Sequence, residues 1–370
     1  MSHSLAARVL LALGFCALVI GWDLAHRDGT PSPAQARWPV AQVASAAPPA
    51  LRVLAQGQIP MPPDTPAAHA SSLLPMPSHD PNVLLAFWFA GTRESAHDVG
   101  IVVSGFDRAT QQWGAARFVV ERHDLGRQLG FAVRRLGNPV AWLDAQGRVH
   151  LFVVATGLGG WAASRIVQLR QRQAGPVWHQ GSWEVVRVLP LSWWWNTSFL
   201  VRTAPLALQD GGMVLPVYFE LGLKYPVALR FDAQGGFQGM VRMSARKHVL
   251  QPGLLAYSDS HWLALMRDQR PGGRVTAVQT RDGGQHWQDL PDLALVNPDA
   301  SVATLALAPG QMWLAHNSSA HSRRVLDLSH SSDGVHWQLM RTLAKGGGHD
   351  EYSYPALAWA DDSLWVSYTH

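Results

Sequence analysis

Tyr218 and Glu220 stand two residues apart at the end of the apolar run Leu215–Glu220. Alternate residues of a β-strand point to the same face, so the phenol and the carboxylate could project together into one cavity. A positioned carboxylate or phenol can transfer protons to or from a reacting group. The pair therefore predicts acid–base chemistry at the end of one strand.

An aromatic cluster, Trp193-Trp194-Trp195, lies a few residues before Arg202. Three adjacent indole rings could form a wall that stacks on a sugar ring, or they could pack between neighbouring sheets. The chain holds 17 Trp in 370 residues, so both roles are open. The cluster indicates a carbohydrate only if the structure leaves the rings exposed.

Several kinds of chemistry are excluded by composition. Cys16 is the only cysteine, so a zinc–thiolate site, a catalytic thiol in the body and an intrachain disulfide are ruled out. The 17 histidines are scattered, and no phosphate loop or dinucleotide fingerprint occurs, so we expect no metal and no cofactor. The 30 Lys+Arg and 26 Asp+Glu form no basic run, which argues against nucleic acid as a partner. We expect a monomer.

The N-terminus indicates export. Arg8 precedes the uncharged run 9–20, which has the length of a signal-peptide core, and residues 1–25 are predicted to be a signal peptide or a membrane anchor. Cleavage near 44–46 and anchoring in the inner membrane by residues 5–22 are both open. In either case the body should be periplasmic or extracellular, with membrane contact only through this segment.

The rest of the chain divides into two parts. Residues 26–66 are rich in Pro and Ala and predict a linker or an extended segment lying on the domain, with an outer strand at Arg52–Gln56. From residue 67 to 370, short apolar runs such as Val149–Val154 alternate with turn residues. This pattern predicts an all-β domain.

A repeat within that domain predicts its architecture. Thr280–Trp287 has the form Ser/Thr-x-Asp-x-Gly-x-x-Trp, Ser331–Trp337 repeats it one residue shorter, and Asp232–Phe237 is a decayed copy. The aspartates recur at about 50 residues, a period typical of four-stranded propeller blades. Residues 67–370 then predict a six-bladed β-propeller.

This motif is the Asp box, and through it the chain resembles the sialidase-like superfamily. The box is expected to be structural. The Ser/Thr and Asp oxygens accept hydrogen bonds from the backbone N–H groups of the turn, and the Trp packs beneath the hairpin. A wider resemblance to bacterial predicted sialidases runs through His69–Leu73, Ala86–Glu94, Gln251–Leu254, Ala264–Arg267 and Tyr352–Pro355.

The resemblance implies a carboxylate-binding arginine triad, an acidic proton donor and a nucleophilic tyrosine activated by glutamate. It assigns two triad positions to Arg267 and Arg323, the nucleophile to Tyr352, and the acid to Glu94 or Asp98. Arginine suits this task because its guanidinium can grip a carboxylate bidentately. The further candidates for substrate binding are Arg93, Arg202, Tyr218, Gln251, Asn317 and Tyr354.

Two positions depart from the family pattern. His69 stands where the first triad arginine is expected, and Gln251 stands where the activating glutamate is expected. Glutamine cannot act as a base, so Glu220 is a candidate replacement. His69 can transfer protons near neutral pH, which opens other chemistry.

We therefore expect an exported, sialidase-like exo-glycosidase that acts on an acidic sugar. One alternative is a uronate lyase, in which arginines neutralise the carboxylate while His69 or Tyr352 removes the C5 proton. The other alternative is a non-catalytic glycan-binding propeller.

Overall fold

The computed structural model describes residues 2–26, 30–40, 50–176 and 178–370. Within these residues the chain is an all-β propeller with two α-helices, α1 (Ser2–His26) and α2 (Arg122–Leu129). The strands form six antiparallel sheets, and in each sheet the strand order mainly follows the sequence. Such up-and-down sheets need only short hairpin connections.

The first three sheets come from the N-terminal half of the domain. Sheet one contains β1 (Ala67–Pro75), β2 (Asn82–Gly91), β3 (Gly100–Asp107) and β4 (Arg117–Val120). Sheet two contains β5 (Arg135–Leu143), β6 (Val149–Thr156), β7 (Ser164–Gln171) and β8 (Trp183–Val188). Sheet three contains β9 (Phe199–Val201), β10 (Leu206–Ala207), β11 (Met213–Leu221), β12 (Leu223–Phe231) and β13 (Phe237–Arg242). Its innermost position is divided, because β9 and β10 both pair with β11.

The C-terminal half supplies the other three sheets. Sheet four contains β14 (Val249–Ala256), β15 (Trp262–Asp268), β16 (Thr276–Thr280) and β17 (Gln288–Asp289). Sheet five contains β18 (Ala303–Ala308), β19 (Gln311–Asn317), β20 (Val325–Ser331) and β21 (Gln338–Lys345). The last sheet contains only β22 (Ser353–Ala360) and β23 (Ser363–Thr369).

The propeller predicted from the repeat is confirmed, but six complete blades are not found among the described residues. Five sheets have four or five strands, whereas the last has two. Strand β22 contacts both β18 and β1, so the two-stranded sheet lies between the fifth sheet and the first.

The core lies between neighbouring sheets. The two inner strands of a blade are covered on both faces and are therefore largely apolar, as in β6 and β14, where every residue is buried. Side chains from adjacent sheets interlock, for example Phe152 of β6 with Phe231 of β12, whose ring centroids are 5.2 Å apart. Burying such rings stabilises each by ~1.5–3 kcal/mol.

The Asp boxes close turns, as expected from their sequence. Asp282 Oδ1 accepts hydrogen bonds from the backbone N–H groups of Gln285 and His286, both at 3.0 Å. The indole N–H of Trp287 donates a hydrogen bond to the carbonyl of Gly284. Burial alone would raise the pKa of Asp282, but these hydrogen bonds outweigh burial and lower it to about 2. The second box repeats the arrangement around Asp333.

The alternation of strands gives the propeller two distinct ends. The first and third hairpin loops of each blade, which include the Asp boxes, lie at one end, here named the Asp-box end. The second hairpin loops and the connections between blades lie at the opposite end, here named the site end. This division decides which side chains can meet.

Residues 30–40, here named the strap, run along the Asp-box end, and residues 50–66 lead to β1, which begins at the site end. The amide of Ala36 donates to the carbonyl of Asp259 at 2.8 Å, and the amide of Ala34 donates to that of Gly283 at 3.2 Å. Leu51 and Ile59 pack into the apolar clusters on either side of the last sheet. The predicted strand at 52–56 is wrong, because this segment is extended without pairing to a sheet.

Candidate functional site

Most of the predicted site residues converge at the site end, around the propeller axis. Four of the innermost strands carry a β-bulge near this end. Each bulge holds a non-glycine residue with positive φ: Ala70 (57°), Asn138 (39°), Gln251 (54°) and Tyr354 (52°). Such strained residues cost ~1–3 kcal/mol each and concentrate at functional sites, and bulges turn side chains away from the regular alternation.

Tyr354 lies among arginines from two distant parts of the chain. Its ring centroid is 5.4 Å from the guanidinium carbon of Arg202 and 5.9 Å from that of Arg323. Both distances are within the range of a cation–π contact. The ring therefore lies close to two positive charges.

Arg202 is a buried cation, only 2% exposed. Its Nη1 donates to the carbonyl of Ser71 at 3.2 Å and its Nη2 to the carbonyl of Pro355 at 3.0 Å, which joins the third sheet to the first and the last. Its Nε has no hydrogen-bond partner among the described residues, and no described carboxylate pairs with it. Burial lowers the pKa of Arg202 to about 10, so the group still carries its charge at neutral pH.

Arg267 is the first residue in a series of side-chain hydrogen bonds. Its Nε donates to Asp299 Oδ1 at 2.6 Å and its Nη1 to Gln251 Oε1 at 3.2 Å. Gln251 Nε2 in turn donates to the hydroxyl of Tyr218 at 3.4 Å. Burial would lower the pKa of Arg267, but the contact with Asp299 outweighs it and raises that pKa, whereas burial raises the pKa of Tyr218.

Arg323 binds the carboxylate of Glu351 and the backbone of Asp299. Its Nη1 donates to Glu351 Oε1 at 2.8 Å, and its Nη2 donates to the backbone carbonyl of Asp299 at 2.6 Å. Burial alone would raise the pKa of Glu351, but Arg323, Ser353 and the charge of His69 lower it. Glu351 is therefore an ionised carboxylate at neutral pH and is unsuited to donate a proton.

His69 also lies beside Tyr354. Its ring stacks on Phe89 with centroids 5.5 Å apart, and the ring of Tyr354 lies edge-on at 6.3 Å. The buried Nδ1 atom of His69 has no hydrogen-bond partner among the described residues. The hydrogen-bonding position of this nitrogen is therefore unused within the described residues.

Tyr352, the predicted nucleophile, packs elsewhere. Its ring stacks on His370 with centroids 4.7 Å apart and meets Tyr368 edge-on. Its carbonyl accepts a 2.8 Å bond from Asn317 Nδ2, which also binds the carbonyls of Arg323 and Val325. Asn317 thus holds the loops in place, and the tyrosine that contacts the arginines is Tyr354.

The predicted acids lie in the exposed loop between β2 and β3, at the site end. Arg93, Glu94 and Asp98 are all exposed. Asp98 accepts bonds from the amide and the hydroxyl of Thr92, at 3.0 and 3.1 Å, so it also holds the turn. Glu220 follows Tyr218 on β11 and pairs with Lys224 at 3.0 Å.

The tryptophan cluster is exposed. Trp193, Trp194 and Trp195 are 54%, 78% and 53% exposed, in the connection between β8 and β9 at the site end. Asn196 fixes the base of this loop through a 2.8 Å bond to the carbonyl of Leu189. Packing between sheets is therefore not the role of these rings.

A separate cavity of about 780 Å³ lies beside α2. Its lining is rich in basic side chains: His97, Arg122, His123, Arg127 and Arg134. It does not include any of the three arginines around Tyr354 and Gln251, so the two features are distinct. No group of three or more His, Cys, Asp or Glu that could hold a metal occurs within the described residues.

Sequence reasoning missed Asp299, Glu351 and Asn138. A signal for the bulges was present, because Asn138, Gln251 and Tyr354 each precede a proline on the innermost strand of a blade. That repeated residue–Pro pair marks both Gln251 and Tyr354 as equivalent positions. Asp299 and Glu351 carried no comparable signal.

The fold and the repeats together define a sialidase-like β-propeller. Residues 82–366 match the BNR repeat-like domain, and the chain belongs to that family. No curated protein matches the chain.

Solved structures agree with this fold. Trypanosoma rangeli sialidase in complex with sialic acid superposes with a TM-score of 0.64 at 13% identity, covering 84% of this chain and 54% of that one. A protein of unknown function from Dyadobacter fermentans gives 0.65 at 11% identity, covering 84% and 92%. The intramolecular trans-sialidase from Ruminococcus gnavus, in complex with oseltamivir carboxylate, gives 0.59 at 11% identity, covering 82% and 90%. The chain spans about half the length of the Trypanosoma sialidases that it matches.

Proposed function

We propose that this protein is an exported enzyme that cleaves a terminal, carboxylate-bearing sugar from a glycan at the site end of the propeller. The two-stranded sheet serves as a reduced sixth blade that completes the ring around the site. The observation that carries the proposal is Arg202, a buried cation whose hydrogen bonds within the described residues go only to backbone carbonyls and which shares the ring of Tyr354 with Arg323. A buried cation without an acidic partner favours an anionic ligand.

The charges of the site match one carboxylate. Arg267 is balanced by Asp299 and Arg323 by Glu351, which leaves the charge of Arg202 to be matched by the ligand. Solved relatives hold sialic acid and oseltamivir carboxylate, and both ligands support an acidic sugar as the substrate class. The exposed tryptophans at the same end suit contact with the remaining glycan.

In this proposal Tyr354 is the nucleophile and His69 is the group that takes its proton. Tyr354 is chosen because its ring contacts Arg202 and Arg323, and His69 is chosen because Gln251 cannot serve as a base. The phenolate attacks the anomeric carbon, and the leaving glycan oxygen takes a proton from Glu94 or Asp98 in the exposed loop after β2. Water then releases the sugar from the tyrosine.

A uronate lyase is the second candidate, because His69 and Tyr354 lie side by side next to the arginines. Here the arginines neutralise the carboxylate, one of the two residues removes the C5 proton, and the bond to the leaving sugar breaks to give an unsaturated product. No water is consumed. The same residues are required, but the products differ.

Turnover by the full chain in detergent separates these reactions. Sialyl conjugates and uronate-containing glycans are offered, and free acidic sugar and absorbance of a new double bond are both measured. Free sialic acid supports the hydrolase. Unsaturated uronate supports the lyase, whereas binding without either product leaves a non-catalytic glycan-binding propeller and overturns the enzymatic proposal.

A further inference from the structure

The strap makes the N-terminal segment an integral part of the propeller. Beyond Ala34 and Ala36, the amide of Arg37 donates to Ala207 at 2.8 Å, and the amide of Val40 donates to Leu307 at 3.1 Å. Ala36 is 0% exposed and also bridges to Leu208. These contacts span the third, fourth and fifth sheets, so losing the strap would expose buried backbone and side chains.

Removal of the N-terminal helix by a signal peptidase would conflict with these contacts. Such cleavage favours an Ala-x-Ala triplet, and the first two triplets that follow the helix are 34–36 and 44–46. The second of them lies outside the described residues. Cutting after either one would detach Ala34 and Ala36 from the folded domain, because both residues precede the cut.

The helix itself is suited to remain in a bilayer. Its apolar stretch Leu5–Trp22 has 18 residues, none of them buried against the protein. At 1.5 Å per residue it spans about 27 Å, close to the hydrocarbon thickness of ~30 Å. Trp22 stands at its end, a position that favours the membrane interface.

The point of attachment fixes the orientation. Residues 27–30 separate the helix from Pro31, whose carbonyl accepts a 3.3 Å bond from Gln285 in the first Asp box. Even fully extended, this connection reaches only on the order of 15 Å. The strap lies at the Asp-box end, and Arg202, Arg267 and Tyr354 lie at the other.

We propose that the helix is retained as a membrane anchor and that the Asp-box end of the propeller faces the lipid surface. The arginine site and the exposed tryptophans then point away from the bilayer, toward glycans in the surrounding space. The partner of the Asp-box end is the bilayer in which the protein's own helix is embedded.

Two measurements on the full chain test this inference. The first is the mass of the mature protein recovered from bacterial membranes after carbonate extraction. We expect the helix to be present on a chain that stays in the membrane fraction. A soluble chain that begins after residue 26 would overturn retention.

The second measurement reports orientation. Cys16 is the only cysteine, so Cys16→Ala gives a background into which Val335→Cys at the Asp-box end or Leu158→Cys at the site end introduces one label position. Both native side chains are exposed, 51% and 78%. In vesicles with acceptor-labelled lipids, we expect greater energy transfer from a donor at position 335 than at 158. Equal transfer, or greater transfer from 158, would overturn the orientation.

Discussion

Two tyrosines close together in sequence play different parts at the site end. Regular strand alternation would point Tyr352 and Tyr354 to the same face. The bulge between Ser353 and Ala356 breaks that alternation, so Tyr354 meets Arg202 and Arg323 while Tyr352 stacks on His370. The resemblance could name the segment, but only the bulge decides which ring faces the arginines.

Replacing each tyrosine by phenylalanine tests this assignment. We expect Tyr354→Phe to lower kcat by about 100-fold or more, because it removes the reacting hydroxyl. Tyr352→Phe keeps the ring stacked on His370 and should change kcat by less than about threefold. Steady-state kinetics of both variants give the two kcat values. A larger loss of kcat in Tyr352→Phe than in Tyr354→Phe would contradict the assignment.

In the proposed site, we expect carboxylate binding to depend most on Arg202. Arg202→Leu should weaken binding of an acidic sugar by about 10- to 100-fold, which corresponds to loss of a charge-assisted hydrogen bond of ~1.5–3 kcal/mol. Calorimetric titration measures the affinity, and a thermal melt checks folding. Exposed Arg341 on the outer strand β21 supplies a control, since Arg341→Leu should leave the affinity within about threefold. Unchanged affinity in folded Arg202→Leu would exclude the proposed role.

At the scale of elements, the strap contributes to stability through close backbone contact. Gly283 has φ of +69°, and a Cβ at this position would collide with the backbone of Ala34. Gly272 has a similar φ of +67° with nothing within 4 Å of an added Cβ. The two glycines therefore share the conformational cost of an alanine but not the collision.

Gly283→Ala should consequently lower the free energy of unfolding by about 1–3 kcal/mol more than Gly272→Ala does. Chemical denaturation of the two full-length variants gives the difference. Equal losses of unfolding free energy would mean that the strap can move away from the Asp box at little cost. The strap would then not be an integral part of the propeller.

How much could be read from the sequence depends on the range of the contacts involved. The Asp boxes are local, since Asp282 closes its turn with residues three and four positions away, and they predicted the propeller. Arg202 instead binds Ser71 and Pro355, at separations of 131 and 153 residues. No local pattern encodes such a meeting, and the acidic partners Asp299 and Glu351 were missed for the same reason.

At the scale of the whole molecule, buried histidines tie stability to pH. His150 is 0% exposed, with its Nε2 3.1 Å from Asp144 and its Nδ1 accepting from Gln168 at 3.1 Å. His316 is also buried and meets Ser329 at 3.0 Å. Burial lowers the pKa of both imidazoles below the usual 6.5. The folded state therefore favours their neutral forms.

A histidine whose pKa is lower in the folded state than in the unfolded state stabilises the fold while it is neutral in both states. This contribution is present above pH 6.5 and is lost as the pH falls, because the unfolded state then binds the proton more readily. We expect the free energy of unfolding to fall below that pH, with a slope approaching ~1.4 kcal/mol per pH unit for each histidine. Denaturation at pH 7.5 and 5.5 measures the loss. His150→Gln should reduce the slope of the free energy of unfolding with pH, whereas His349→Gln, at an exposed position, should not. If neither variant changes the slope, the loss of stability arises from other groups.

The central claim is that the site end selects a sugar by its carboxylate. The most direct measurement is the affinity of the full chain for sialic acid and uronic acids compared with their methyl esters, which keep the shape but lose the charge. We expect the preferred acid to bind at least about 10-fold more tightly than its ester, and Arg202→Leu to abolish the difference. Equal affinity for acid and ester would contradict it.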